Sequence, residues 1–233
     1  MLAVMDGILL VDKPLDWTSF DAVNYVRKLV AQFQGQSPKR VKVGHTGTLD
    51  PKATGLLVLL LGAYTKQAQT FSKLDKVYEV SIKLGVDSTT GDEEGTKTAI
   101  SDTVPNPAAI AAVLSKFTGP QMQTPPSYSA IKVNGQRAYK AARAEKPLSL
   151  PARPVTIYSL ELVDYAYPTL KLVAKVSSGT YIRSLAVDIG SVLGTGAYLS
   201  GLRRTEVGSF KLDDAISLKS LTAEQIKNSL INL

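Results

Sequence analysis

The chain has 233 residues, 44% of them hydrophobic and 20% charged, with 27 Lys and Arg against 20 Asp and Glu. That composition suits one large or two small globular domains, and the net charge of +7 points to an anionic partner or simply to a basic surface. The absence of cysteine and the single histidine exclude a disulfide framework, a thiolate nucleophile and a multi-histidine metal centre.

In chain order, Gly7–Val11 is a compact apolar run ended by Lys13-Pro14 and reads as a buried strand. Thr18 or Ser19 then caps a helix carrying Phe20, Val23, Val26, Val30 and Phe33 at three-to-four spacing, and Gly35 stops it. Lys39, Arg40 and Lys42 lead into a glycine-rich loop, and Gly55 to Gly62 bracket a second buried apolar segment. From Tyr78 the period becomes two: Tyr78, Val80, Ile82 and Leu84 share a face opposite Glu79, Ser81 and Lys83. Asp87 to Gly95 is an acidic loop, and Asn106-Pro107 opens a helix. Asn134-Gly135 between short candidate strands is a hairpin signal. Val155–Val163 and Leu170–Val176 read as strands, Ser184 opens a helix, and Leu218, Leu221, Ile226 and Leu230 suggest one terminal helix. Hairpins as well as helices join the strands, so the expectation is an α+β fold with a mixed, mainly antiparallel sheet flanked by helices and loops. The N-terminal residues carry no basic stretch ahead of a long apolar one, and the longest apolar run, Leu56–Leu61, is far below the roughly 20 residues that span a bilayer. No signal peptide, no membrane contact and a cytoplasmic location are expected.

Four segments could carry chemistry. Gly44–Gly55 holds the histidine, His45, together with Asp50-Pro51 and several glycines. It lacks the Gly-Lys-Ser/Thr ending of a phosphate loop and the Gly-x-Gly-x-x-Gly of a dinucleotide site. Taken alone, Asp50-Pro51 is equally a turn, His45 a loop hydrogen-bonder and Tyr78 a core residue. Tyr128–Arg153 carries Lys132, Arg137, Lys140, Arg143, Lys146 and Arg153 against Glu145, with Tyr128 and Tyr139 interleaved. That pattern fits phosphate neutralisation and base stacking, or a solvated face. Ser178–Ser184 delivers Tyr181 and Arg183 to the start of a helix, where a cation opposes the helix dipole, so a carboxylate or phosphate is expected to hold the arginine. Leu202-Arg203-Arg204 is the fourth, an apolar residue followed by two cations.

In this order the segments resemble the TruB family of tRNA pseudouridine synthases. The resemblance rests on Gly-Ile-Leu-Leu-Val-Asp-Lys-Pro, Gly-His-Thr-Gly-Thr-Leu-Asp-Pro-x-Ala-Thr-Gly-Leu-Leu, Asp-Lys-x-Tyr, Gln-x-Pro-Pro-x-Tyr-Ser-Ala-Ile-Lys, Ser-Gly-Thr-Tyr-Ile-Arg-Ser-Leu-Ala and Leu-Arg-Arg-Thr, in register from about residue 7 to 210. It implies the pseudouridine synthase fold and isomerisation of uridine 55 in the TΨC loop of tRNA, without metal, cofactor or obligatory protein partner. Asp50 is then the catalytic aspartate, as nucleophile on the ribose or base at C2′, with Arg183 its ion-pair partner. His45, Tyr78, Tyr181 and Leu202 surround the flipped-out base, with Lys13 and Lys66 nearby. Lys132, Arg137, Lys140, Arg143 and Arg153 belong to an RNA-gripping insertion at about 120–153. A glycosidase needs two carboxylates and admits water, whereas these motifs supply one, in keeping with isomerisation.

Two departures follow. Asp16 stands where the family's Lys-Pro-x-Gly loop has glycine, which predicts a different turn. The family's C-terminal PUA domain is expected to be absent, leaving a catalytic domain over 1–215 and a helical tail over 216–233. The rival readings are a guide-RNA-dependent relative and a tRNA-folding chaperone without turnover.

Overall fold

The computed structural model describes residues 5–129, 131–133, 135–144, 146 and 148–232; Asn134 of the expected turn and Glu145 of the basic segment lie outside them. In chain order the elements are β1 (Gly7–Lys13), α1 (Ser19–Phe33), β2 (Val43–His45), β3 (Ala53–Leu61), α2 (Ala68–Ser72) and β4 (Lys76–Leu84). β5 (Val86–Ser88), β6 (Lys97–Ala99), α3 (Pro107–Phe117), β7 (Gly119–Gln123), β8 (Lys132–Val133), β9 (Gln136–Arg137) and α4 (Ala138–Arg143) follow. The chain ends with β10 (Arg153–Ala166), β11 (Thr169–Val176), α5 (Ile182–Leu193), β12 (Ala197–Val207), β13 (Phe210–Lys211), β14 (Ile216–Ser217) and α6 (Ala223–Asn228). It divides into two compact units, residues 1–78 with 203–233, and residues 79–202.

In the first unit the strand order is β14-β1-β3-β12, with β2 also paired to β3 and β13 to β12. β1 and β3 are antiparallel from Gly7↔Leu61 to Lys13↔Gly55, while β14 lies parallel to β1. Both faces of β1 and β3 are buried, which is why their sequences are continuous apolar runs rather than alternations. Ile8, Leu10, Leu56, Val58 and Leu60 form one core face with Phe71 and Val207. The C-terminal residues complete this unit. Ile8 and Ile231 exchange backbone hydrogen bonds at 2.9 Å, and Leu218, Leu221 and Ile226 are buried. Only Ile226 of the expected helical set lies within α6, because Thr222 starts that helix with a capping box closed by Gln225.

Helix α1 begins as expected, with Thr18 capping Asp21 and Asp21 reaching back to Thr18. Its buried stripe is Ala22, Val23, Val26, Val30 and Ala31. Phe20 departs from the expected stripe: it is exposed, with the Arg27 guanidinium 5.8 Å over its ring.

In the second unit the order is β4-β11-β10-β7. β10 pairs antiparallel with both β11 and β7. β4 alternates as its sequence predicts, with Val80, Ile82 and Leu84 buried and Glu79 and Lys83 exposed. The Asn106 side chain caps α3 through Ala109 N at 2.8 Å. Helix α5 starts two residues before the expected Ser184, whose hydroxyl instead donates to Thr124 O at 2.9 Å. The start is fixed from outside: Gln123 accepts from Tyr181 N at 2.8 Å and donates to Tyr181 O at 3.0 Å.

Candidate active site

The Asp50 loop lies in the first unit, and its backbone is tied at almost every step. Thr46 N donates to Val58 O at 3.1 Å. The hydroxyl of Ser19, in the first turn of α1, accepts from Leu49 N at 2.8 Å and donates to Leu49 O at 3.0 Å. Ala53 N closes the turn on Asp50 O at 3.0 Å, and Pro51 O accepts from Asp16 N at 2.9 Å. The loop is therefore a rigid mount for a half-buried carboxylate.

Two buried cations complete the mount. Arg204 is 2% exposed; its Nε donates to Leu56 O at 2.8 Å and its Nη2 to Gly47 O at 3.1 Å. Its backbone runs so close to β3 that a Cβ on Gly55 would lie 2.3 Å from Arg204 O, and Gly55 also has φ +98°, so glycine is required twice over. Lys13, fully buried, donates to Trp17 O at 2.6 Å and Pro14 O at 2.9 Å, with a longer 3.5 Å contact to Pro51 O. Burial pulls its ammonium down to about 8, against the attraction of the Asp50 charge. Lys76 is likewise pulled to about 8 by burial and by Arg204. His45 is held below the usual histidine range by burial and then by Arg204, so it is neutral at pH 7. Its buried Nδ1 has no hydrogen-bond partner, a feature shared among the described residues only with Ser129 Oγ.

The loop that departs from the family pattern keeps a glycine-like turn. Asp16 has φ 65°, the left-handed region that glycine enters without strain and that Asp tolerates better than most. Its carboxylate meets Lys52 Nζ at 2.6 Å on an exposed surface. Tyr78 is buried on β4, and Lys66 is exposed on a 3₁₀ turn over Gly62–Gln67.

In the second unit Arg183 is the centre. Only 7% exposed, it forms an ion pair with Asp92 at 3.3 Å and donates to Tyr128 O at 2.8 Å and Thr90 O at 3.4 Å. A carboxylate does hold the arginine at the helix start, as its opposition to the dipole predicts. The loop carrying Asp92 comes this close because Gly91, at φ +73°, leaves only 3.3 Å between a would-be Cβ and Val187. A cavity of about 390 Å³ opens beside the pair, bordered by Thr90, Tyr128, Ser184 and Asp188. Tyr128 therefore belongs to this cavity rather than to the basic segment. Tyr181 is half-buried just ahead of α5, and Leu202 is half-buried in β12.

Lys132 and Arg137 lie on the β8–β9 pair, Lys140 and Arg143 on α4, and Arg153 at the start of β10. All five are exposed. Tyr139 is flanked there by Arg143, 5.8 Å from its ring, and the Arg137 hydrogen bond lowers its phenol below the usual range. Asp50, His45 and Lys13, which the resemblance groups around one site, all lie in the first unit. Sequence reasoning passed over Asp92 and Gln123, and it read Ser19 only as a helix cap; the partners of all three are far away in sequence. It noticed Arg204 only as a charge. Among the described residues no group of His, Cys, Asp and Glu is arranged to hold a metal ion, and no helix is long and apolar enough to cross a membrane.

The fold matches that of chains in two solved assemblies. A chain in a crystal structure of a Cbf5–Nop10–Gar1 complex is 28% identical with a TM-score of 0.73, covering 97% of this chain. One in an H/ACA RNP bound to a substrate RNA containing 2′-deoxyuridine is 29% identical with a TM-score of 0.66, covering 92% of it. This chain spans 59% and 52% of those two chains. The sequence pattern of the TruB family pseudouridylate synthase N-terminal domain matches residues 26–182, and that of the tRNA pseudouridylate synthase B C-terminal domain matches residues 183–231. The chain belongs to the TruB family of pseudouridylate synthases. Proteins named tRNA pseudouridine synthase B from Aromatoleum aromaticum and Francisella tularensis subsp. tularensis are each 43% identical to it, over 94% and 98% of this chain and 69% and 75% of their own length.

Proposed function

We propose that this protein isomerises uridine 55 in the TΨC loop of tRNA to pseudouridine, with Asp50 as the reacting carboxylate. The observation that carries the reading is the fixed presentation of Asp50: a loop whose carbonyls and amides are bound by Ser19, Lys13, Asp16 and Arg204. Such preorganisation aims one charged group without reorganisation during the reaction. The relatives named above act, by name, on tRNA and supply the substrate class.

In the reaction the N1–C1′ bond breaks, the uracil turns, and C5 bonds to C1′ while the C5 proton is released and N1 takes one up. Asp50 starts the exchange by attacking C1′ or by removing the C2′ proton. The target must leave its stack, at roughly a few kcal/mol. His45, Tyr78, Tyr181 and Leu202 are proposed to receive it, with Arg183 paired to Asp50 and Lys13 and Lys66 close by. That pairing rests on the family resemblance. Lys132, Arg137, Lys140, Arg143 and Arg153 are proposed to neutralise tRNA phosphates, which their exposure permits.

The enzyme is expected to work on bare tRNA, in the cytoplasm, without an obligatory partner and with a secondary benefit to tRNA folding. Asp50→Asn should lower tritium release from 5-³H-uridine tRNA by at least about a thousandfold while tRNA binding persists. Substantial turnover by that variant would remove Asp50 from its role. Modification of an unmodified tRNA transcript at one TΨC uridine separates this reading from a guide-RNA-dependent enzyme, and absence of any pseudouridine would favour a chaperone.

A further inference from the structure

A cleft of about 560 Å³ in the first unit takes no part in the site described above. One wall is the α1 face bearing Asn24, Arg27 and Lys28; the other is the 3₁₀ turn at Pro38–Arg40 and the segment through Lys42 to Gly44. Four cations, Arg27, Lys28, Lys39 and Lys42, border it, and among the described residues lining it there is no carboxylate. The arginine is set in place. Its Nη1 donates to Asn24 Oδ1 at 2.8 Å and its Nη2 to Val43 O at 3.0 Å, which ties the helix wall to β2. The three lysines are exposed.

Gly44 is the second observation. It borders the cleft from β2, paired with Leu60, and its φ is not in the left-handed region. A Cβ built there would have nothing within 4 Å. Neither backbone conformation nor packing therefore requires glycine, whereas a ligand lying against the backbone would. The cleft volume falls within the range of about 300–1,000 Å³ usual for ligand sites. From Gly44 the chain reaches Asp50 in six residues, at most about 20 Å of extended backbone.

We propose that this cleft binds backbone phosphates of the substrate RNA close to the reacting nucleotide, a grip in the first unit separate from the basic segment at 132–153. This rests on the reading of the protein as an RNA-modifying enzyme. The cations offset phosphate charge while Gly44 lets the ribose-phosphate chain lie against β2.

The test is equilibrium binding of a tRNA transcript over a salt series, with pseudouridine formation measured in parallel. Lys28→Ala/Lys39→Ala should raise Kd about tenfold and make log K against log[salt] shallower by roughly 0.7–0.9 per lost contact, with the rate at saturating RNA retained. Gly44→Ala should raise Kd with no change of slope, since no charge is removed. Lys83→Ala/Lys175→Ala, which removes the same charge from exposed positions of the second unit, is the control. Equal effects in the control and cleft variants, or none in either, would overturn the proposal. So would micromolar binding of inorganic phosphate or UMP that the cleft variant abolishes while tRNA binding is untouched, which would mark a small-anion site. If the wild type makes no pseudouridine but the cleft variants still weaken tRNA binding, the enzymatic reading fails and the cleft stands; turnover with unaltered binding is the reverse.

Discussion

The two units present charge in opposite ways. In the first, a carboxylate sits on a contiguous loop, and buried cations, Lys13 and Arg204, hold the carbonyls around it. In the second, a cation sits at a helix start, and a carboxylate with two carbonyls, drawn from 90–92 and 128, holds it. In the loop the Asp50 carboxylate is half-exposed and its supports are buried; around Arg183 the charged group and its support are buried together. Removing the charge should therefore have different consequences in the two places.

The sharpest break would come at Asp50. Asp50→Asn should abolish turnover yet lower Tm by no more than a few degrees, because Arg183 keeps its ion pair with Asp92 and its two carbonyl acceptors. Asp92→Asn should do the converse in stability. It takes from the buried Arg183 the ion pair at 3.3 Å, at a cost of about 3 kcal/mol, which is roughly 6–12 °C in a chain of this size. Thermal melts and single-turnover assays on the two variants side by side decide the matter. Equal Tm losses would mean that the two sites do not differ as described.

Next in size is Arg204→Met. It orphans the carbonyls of Gly47 and Leu56, each at about 1–3 kcal/mol, and frees the loop that aims Asp50. A lower Tm together with a lower rate at saturating RNA is expected. A variant that melts early but retains the full rate would show that Arg204 supports the fold without positioning the loop.

Lys13 gives a pH test of the same support. Its ammonium is charged below about pH 8 and neutral above it, so its attraction for Asp50 is present at pH 7 and lost as pH rises through that value. The single-turnover rate should fall on an alkaline limb with its midpoint near 8. In Lys13→Met the rate should be lower, and that limb should be gone even though Lys76, also near 8, still titrates. An unchanged limb in the variant would assign it to another group.

The contrast also explains what could be read from the sequence. The Asp50 loop, the paired runs of β1 and β3 and the alternation of β4 are local patterns, each fixed within a dozen residues or so. The surroundings of Arg183 are not. Asp92, 91 positions away in the numbering, reaches it only because Gly91 lets the loop close on α5, and Gln123 sets the helix start in place of a local cap. Arg204 was visible as one of two cations after Leu202, but burial decides its role, and burial is a property of the packed β12 rather than of its neighbours in sequence.

The smallest expected effect tests the one position where the loop departs from its family pattern. Asp16 occupies φ 65°, a region that costs a non-glycine residue roughly 1–2 kcal/mol, less for Asp. Against this stands an exposed ion pair with Lys52, which contributes little in solvent. Asp16→Gly loses the ion pair and relieves the strain, but it also gives the unfolded chain more freedom, about 0.4–1 kcal/mol in the other direction. The three contributions nearly cancel, so Tm should shift by less than about 2 °C and turnover should be unchanged. A large drop in rate would mean that Asp16 does more than hold a turn, and that the mount of Asp50 extends to its carboxylate.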